Sequence, residues 1–204
     1  MRIISFFAAL FFYQCSPAQW FNNITTFTTQ NGLSNNTITC LQKDETGFLW
    51  IGTHEGLNRY DGTEFINVLS NEKNNLPSNN ISKICFIDKT TVAVGTDAGL
   101  CLLNTATLSG QKIDLPFNTK FPNTGYYVED LLYKKSDKEL WVSTIHGLFV
   151  FSDQGKLLKK MITSDEGISK GYFARYLFKD AHGDVYFFSP QKAGVYSPNF
   201  ARET

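Results

Sequence analysis

The sequence predicts an all-β chain of β-propeller blades, four-stranded antiparallel meanders, about four of which form part of a larger propeller. The first observation is a repeat. Leu33-Ser34-Asn35-Asn36-Thr37-Ile38 returns without a gap as Leu76-Pro77-Ser78-Asn79-Asn80-Ile81, an offset of 43 that also carries Ile51-Gly52-Thr53 onto Val94-Gly95-Thr96. Leu140-Trp141-Val142-Ser143-Thr144 then Gly147-Leu148 is a third copy, and Val185-Tyr186-Phe187-Phe188-Ser189 then Gly194-Val195 a weaker fourth. The second observation is that short apolar runs alternate with Asp/Gly turns inside each copy, four strands every 43 to 48 residues, which is the arithmetic of a blade. The third is negative: no long stretch has the 3.6-residue periodicity of a helical solenoid.

From the N-terminus, residues 1–18 read as a signal peptide. Arg2 supplies the positive charge, Ile3 to Tyr13 an apolar run too short to span a bilayer, and Ser16-Pro17-Ala18 the small residues before cleavage at Gln19. A lipoprotein signal with Cys15 lipidated is the alternative, but Tyr13 and Gln14 stand where a lipobox wants small residues. No second apolar run is long enough to span a membrane. Residues 19–204 are the partial propeller, with repeats at 27–69, 70–115, 120–163 and 167–204.

Within a copy the first strand is Thr37–Lys43, matched by Asn80–Ile87, Tyr127–Lys134 and Tyr172–Lys179. A polar turn follows, Asp44-Glu45-Thr46-Gly47 in copy one, because Asp caps its own backbone and Gly accepts positive φ. The second strand is nearly continuously apolar (Phe48–Ile51), and a Thr-x-x-Gly turn leads into the third, Leu57–Tyr60. Asp61-Gly62 signals a hairpin to the fourth, Phe65–Val68. Apolar and polar residues alternate only loosely, as expected when both faces of a sheet are covered by neighbours. The small Gly52, Gly95 and Ser143 share one place in strand two, where a larger side chain is expected to collide with an adjacent strand or blade.

Composition narrows function by exclusion. Nineteen basic and nineteen acidic side chains give zero net charge, which lacks the basic footprint of nucleic-acid binding. Eighteen Phe and nine Tyr against two Met fit sheets packed by flat, stiff side chains. Without Cys15, the thiols Cys40, Cys85 and Cys101 are odd in number and lack metal spacing, so they read as core residues. His54, His146 and His182 read as solvated turn residues, and Asp44, Asp61 and Asp180 as turn formers. Trp50 and Trp141 share one repeat position and read as core. Phosphate-loop, dinucleotide and nucleophile-elbow motifs are missing, so no catalytic residue, cofactor or metal is assigned.

The run Asp44-Glu45-Thr46-Gly47-Phe48-Leu49-Trp50-Ile51-Gly52-Thr53, continued by Gly56-Leu57-Asn58-Arg59-Tyr60-Asp61-Gly62, resembles the two-component-regulator propeller repeat. Gly32-Leu33-Ser34-Asn35-Asn36 is similar to the lead-in of such sensors. Copies two and four have Ala93 and Tyr186 in place of the Trp and rest on spacing. The resemblance implies a periplasmic sensor segment of a histidine kinase or hybrid two-component system, an extracellular nutrient such as an oligosaccharide as ligand, and more blades, a membrane span and output modules in full-length relatives. Copy four stops after its third strand, so the expectation is an incomplete arc that associates through open blade edges. An exported propeller enzyme, a lyase or glycoside hydrolase, and an adhesive propeller are the alternatives. If the chain binds a ligand, His54, Glu55, Asn58 and Arg59, clustered after the second strand of copy one, are the candidates.

Overall fold

The computed structural model describes residues 24–116, 126–162, 174–188 and 193–196. The expected signal peptide, Cys15 and Trp20 lie outside the described residues, as do the start and end of copy four.

The described residues form four antiparallel sheets in sequence order. Blade 1 is β1 (Ile38–Lys43), β2 (Leu49–Thr53), β3 (Gly56–Tyr60) and β4 (Phe65–Val68). Blade 2 is β5 (Ile81–Phe86), β6 (Thr91–Thr96), β7 (Gly99–Asn104) and β8 (Gly110–Ile113). Blade 3 is β9 (Val128–Lys134), β10 (Glu139–Thr144), β11 (Gly147–Ser152) and β12 (Leu157–Ile162), and blade 4 is β13 (Tyr176–Lys179), β14 (Val185–Phe188) and β15 (Ala193–Tyr196). Strand neighbours are always sequence neighbours, as in a meander. The first strands β1, β5, β9 and β13 contact one another, so they form the inner row of a propeller arc.

Three apolar layers lie between the blades. Trp50, Leu57 and Val68 of blade 1 meet Ile81, Ile84, Val92 and Val94 of blade 2. Leu100, Leu102 and Ile113 of blade 2 meet Val128, Leu140, Val142 and Phe149 of blade 3. Trp141, Leu148 and Val150 of blade 3 meet Ala174 and Val185 of blade 4. Adjacent residues therefore serve opposite interfaces: Val92 and Val94 face blade 1, and Ala93 between them faces blade 3. That is why the strands read as nearly continuous apolar runs. Each fully buried Val, Leu or Phe contributes about 1.5–3 kcal/mol.

The recurrent small residue sets how closely the blades approach. A Cβ on Gly95 would lie 2.6 Å from Val128 Cγ1 and 2.8 Å from its Cβ, and one on Gly52 2.8 Å from Ile81 Cγ2. Ser143 uses its hydroxyl instead, donating to the carbonyl of Ala174. Ile81 and Val128 begin the inner strands of the next blades, and Ala174 lies two residues before β13.

The Thr-x-x-Gly turn has one geometry in three blades. Thr53 Oγ1 donates to Gly56 O (2.9 Å) and accepts from Glu55 N (3.1 Å). Thr96 does the same with Gly99 O (3.0 Å) and Ala98 N (3.1 Å), and Thr144 with Gly147 O (3.2 Å) and His146 N (3.1 Å). The glycines have φ of 136°, 138° and 150°. Thr96→Val keeps the shape but strands a buried donor and acceptor, so urea unfolding should show a loss of about 2 kcal/mol. Gly194, aligned by sequence with these glycines, instead lies inside β15 opposite Phe187. The β14–β15 connection is longer by two residues, which shifts the register.

The lead-in folds over the face of blade 1 turned away from blade 2. A 3-10 turn, Thr29–Asn31, is capped by Thr28. The Phe27 ring packs 5.1 Å from Tyr60 and 5.5 Å from Phe65, and Leu33 is buried.

Candidate functional site

Asp44 shows how the best-formed blade is built. Its Oδ1 accepts from Thr46 N (2.9 Å), Thr46 Oγ1 (2.7 Å) and Phe48 N (3.0 Å), and its Oδ2 accepts from the Trp50 indole (2.9 Å). Blade 4 repeats the device, with Asp180 accepting from His182 N and Asp184 N (both 2.9 Å) and from the Tyr186 hydroxyl (3.2 Å). Asp61 accepts from Thr63 and Glu64, and the Glu64 amide leads the bonds that hold its pKa at about 2. The three carboxylates are turn formers, as the sequence suggests. Desolvation opposes the charge of Asp44, but its donors together outweigh it and hold the pKa below 3.8. A lowered folded pKa stabilises the protein above the unfolded value and is lost as pH falls. The urea midpoint should therefore drop on acidification from about pH 5 to about pH 3, and Asp44→Asn should flatten that dependence.

The four sequence candidates do not converge. His54 and Glu55 are exposed on the turn between β2 and β3. Asn58 is fully buried: Nδ2 donates to Ser34 Oγ (2.8 Å) and Ile51 O (3.1 Å), and Oδ1 accepts from Ser34 N (2.9 Å). It ties the lead-in to blade 1. Arg59 lies on the opposite face of β3, its guanidinium 4.8 Å from the Phe48 ring centre and 5.7 Å from that of Trp50. Its Nη1 donates to Thr105 O of blade 2 (2.6 Å), so it staples two blades. The Arg59 contact crosses blades and the Asn58 contacts reach back to the lead-in, and the clustering of the four residues in sequence could not reveal either.

The histidines divide as well. His54 and His182 are exposed, whereas His146, expected in solvent, is 1% exposed with its ring 6.0 Å from Tyr126. The chain leading into blade 3 packs over that turn. Trp50 and Trp141 are buried, at 0% and 2%. The three described cysteines are free, and burial raises Cys85 to about 11 and Cys101 to about 12, values of unreactive thiols.

Polar groups do gather on the inner strands, at positions that no sequence motif marks. Pairing slips between Ile38 and Cys40, between Ile81 and Lys83, and opposite Ser143 and Thr144. Thr39, Ser82 and Glu129 thus occupy equivalent bulges, which re-aim side chains. Arg175 Nε lies 3.4 Å from Glu129 Oε2, and Lys83 Nζ 3.5 Å from Asp130 Oδ1. Asp130 Oδ2 accepts from Leu177 N (2.8 Å), linking blade 3 to blade 4. Asp97, the counterpart of His54, accepts from Asn80 Nδ2 (3.2 Å). Clefts also open between blades. One of about 260 Å³ at the Thr-x-x-Gly end is lined by Gly99, Lys112, Ile113, Asp114, Leu115 and Tyr126. The other, about 320 Å³ at the opposite end, is lined by residues of three blades, among them Lys43, Phe86, Asp88 and Tyr133.

Residues 32–55 match a family model described as "Two component regulator propeller". Comparison of the sequence with curated proteins finds no match. Among solved structures, the extracellular domain of BT4673 from B. thetaiotaomicron, described as a proposed one component system, superimposes with a TM-score of 0.65 at 21% identity. The match covers 79% of this chain and 21% of that one. The extracellular domain of BT3049 from B. thetaiotaomicron, described as a proposed hybrid two component system, gives 0.58 at 21% identity over 86% of this chain and 30% of that one. Virginiamycin B lyase from Staphylococcus aureus gives 0.59 at 14% identity, covering 79% and 53%. The chain spans between a fifth and a third of the two B. thetaiotaomicron domains, and at these identities the likeness is one of fold: blades of a β-propeller.

Proposed function

We propose, for a chain built on the two component regulator propeller repeat, that it is the sensory propeller segment of an exported signalling receptor. The observation that carries this reading is the coincidence of the family match, residues 32–55, with the lead-in and first two strands of the best-formed blade. Residues 1–18 direct export to the periplasm, and the output domain is a histidine kinase elsewhere in the receptor. The ligand is an extracellular nutrient of the oligosaccharide class. It is met at the Thr-x-x-Gly end, where His54 and Glu55 are exposed and Asn58 and Arg59 hold the turn between lead-in and blade 2.

The test is a calorimetric titration of the full-length receptor with oligosaccharides, followed by kinase autophosphorylation. His54→Ala/Glu55→Ala should weaken binding about tenfold without changing the melting temperature. Binding unchanged both there and on replacing all four residues rejects the site. Autophosphorylation indifferent to every bound sugar rejects the sensory role.

A further inference from the structure

A cleft of about 320 Å³ opens at the ends of the inner strands opposite the Thr-x-x-Gly turns. Its walls come from three consecutive blades, so it lies between blades rather than on an end face of the arc. Lys43 closes β1, Phe86 closes β5, and Tyr133 and Lys135 flank the end of β9. The hairpin connections at this end of blades 1 to 3 all fall within the described residues. The polar groups of the cleft are unevenly engaged. Asp44 has both oxygens filled, by its own turn and by the Trp50 indole. Asp88 Oδ1 accepts from Thr90 N (2.7 Å) and Thr90 Oγ1 (2.8 Å), and Glu45 Oε2 lies 3.7 Å from Lys89 Nζ. The donors are in the opposite condition. Lys43 and Lys135 are exposed and have no ion-pair partner among the described residues, and the half-buried Tyr133 hydroxyl makes no hydrogen bond to them. Burial first, then the charges of Asp153 and Asp88 and the Cys85 thiol, raise the Tyr133 pKa and keep the hydroxyl a donor.

We propose that this cleft binds a carboxylate carried on a single six-membered ring. Idle donors beside occupied acceptors call for a ligand that brings acceptor oxygens, and two ammonium groups with a phenol call for a negative one. The Phe86 ring, fixed edge to face against Trp50 at 6.0 Å, supplies with Ile87 an apolar wall for the ring of the ligand. The volume lies at the low end for small-molecule pockets and admits one ring rather than a chain of them. Sugar acids and aromatic acids share this chemistry. The cleft lies at the opposite end of the blades from His54 and Glu55, and it does not rest on the ligand proposed for them.

The test is calorimetric titration of the full-length receptor with sodium glucuronate and sodium benzoate, beside their neutral counterparts glucose and benzyl alcohol. Expected is binding of at least one acid, at least tenfold tighter than its neutral counterpart. Glucuronate alone assigns the cleft to sugar acids, benzoate alone to aromatic acids, and both together to the group they share. Lys43→Met/Lys135→Met should weaken binding at least tenfold at an unchanged melting temperature, and Lys43→Arg/Lys135→Arg should retain it. Tyr133→Phe should weaken it about fivefold. His54→Ala/Glu55→Ala should leave it unchanged, which separates failure of this site from failure of the other. Neither acid bound, a neutral counterpart bound as tightly, or binding indifferent to the loss of both lysines would overturn the proposal.

Discussion

Replacing Trp50 with alanine is expected to lower the unfolding free energy by about 4 kcal/mol, the upper range for emptying a large buried aromatic site. The indole is fully buried against blade 2, with the Phe86 ring 6.0 Å away at 74°. It also gives Asp44 its Oδ2 donor and Arg59 part of its stacking surface. The substitution therefore empties a junction and loosens a turn together. Trp50→Phe separates the two effects, since it keeps most of the packing and removes only the indole N–H. It should cost about 1–2 kcal/mol. Urea unfolding followed by circular dichroism measures both, and equal losses would mean that the hydrogen bond rather than the packing dominates.

Gly95→Val is expected to cost about 3 kcal/mol or to prevent folding, although valine is a good strand residue. The backbone at Gly95 does not require glycine; the obstacle is Val128, whose Cγ1 and Cβ occupy the space the new side chain needs. Neither neighbour is the end of a flexible chain, so blade 3 must move as a unit. Gly47→Ala is the contrast. There a Cβ meets nothing within 4 Å, and only the positive φ of 103° opposes it, at about 1 kcal/mol. If thermal unfolding ranks the two alike, close blade approach is not what selects the small residue.

Much of this architecture is legible in the sequence because it is local and repeated. The Asp44 turn, the Thr-x-x-Gly turn and Phe65–Val68 as fourth strand follow from residue types within a few positions. The small residue of strand two was legible through recurrence, since Gly52, Gly95 and Ser143 align. What was hidden depends on contacts between residues far apart in sequence. Asn58 is bonded 24 residues away to Ser34, and Arg59 46 residues away to Thr105, so side chains that look available are structural. His146 is buried by the chain entering the next blade, and the Lys83–Asp130 and Glu129–Arg175 pairs depend on inner strands lying side by side. The register of Gly194 was missed because its connection is longer than the other three. The candidate site was accordingly less legible than the fold: of four residues chosen for proximity in sequence, only His54 and Glu55 face solvent.

Each blade is sealed by the next, and Trp50 reports on that seal directly. In a Trp20→Phe/Trp141→Phe chain Trp50 is the sole tryptophan, and acrylamide quenching of its fluorescence measures its access to solvent. Sealed blades give blue-shifted emission almost insensitive to acrylamide, with quenching restored by Ile81→Ala in blade 2, outside Trp50's own sheet. Emission typical of exposed tryptophan, quenched as readily as in urea, or protection unaffected by the loss of Ile81, would contradict it.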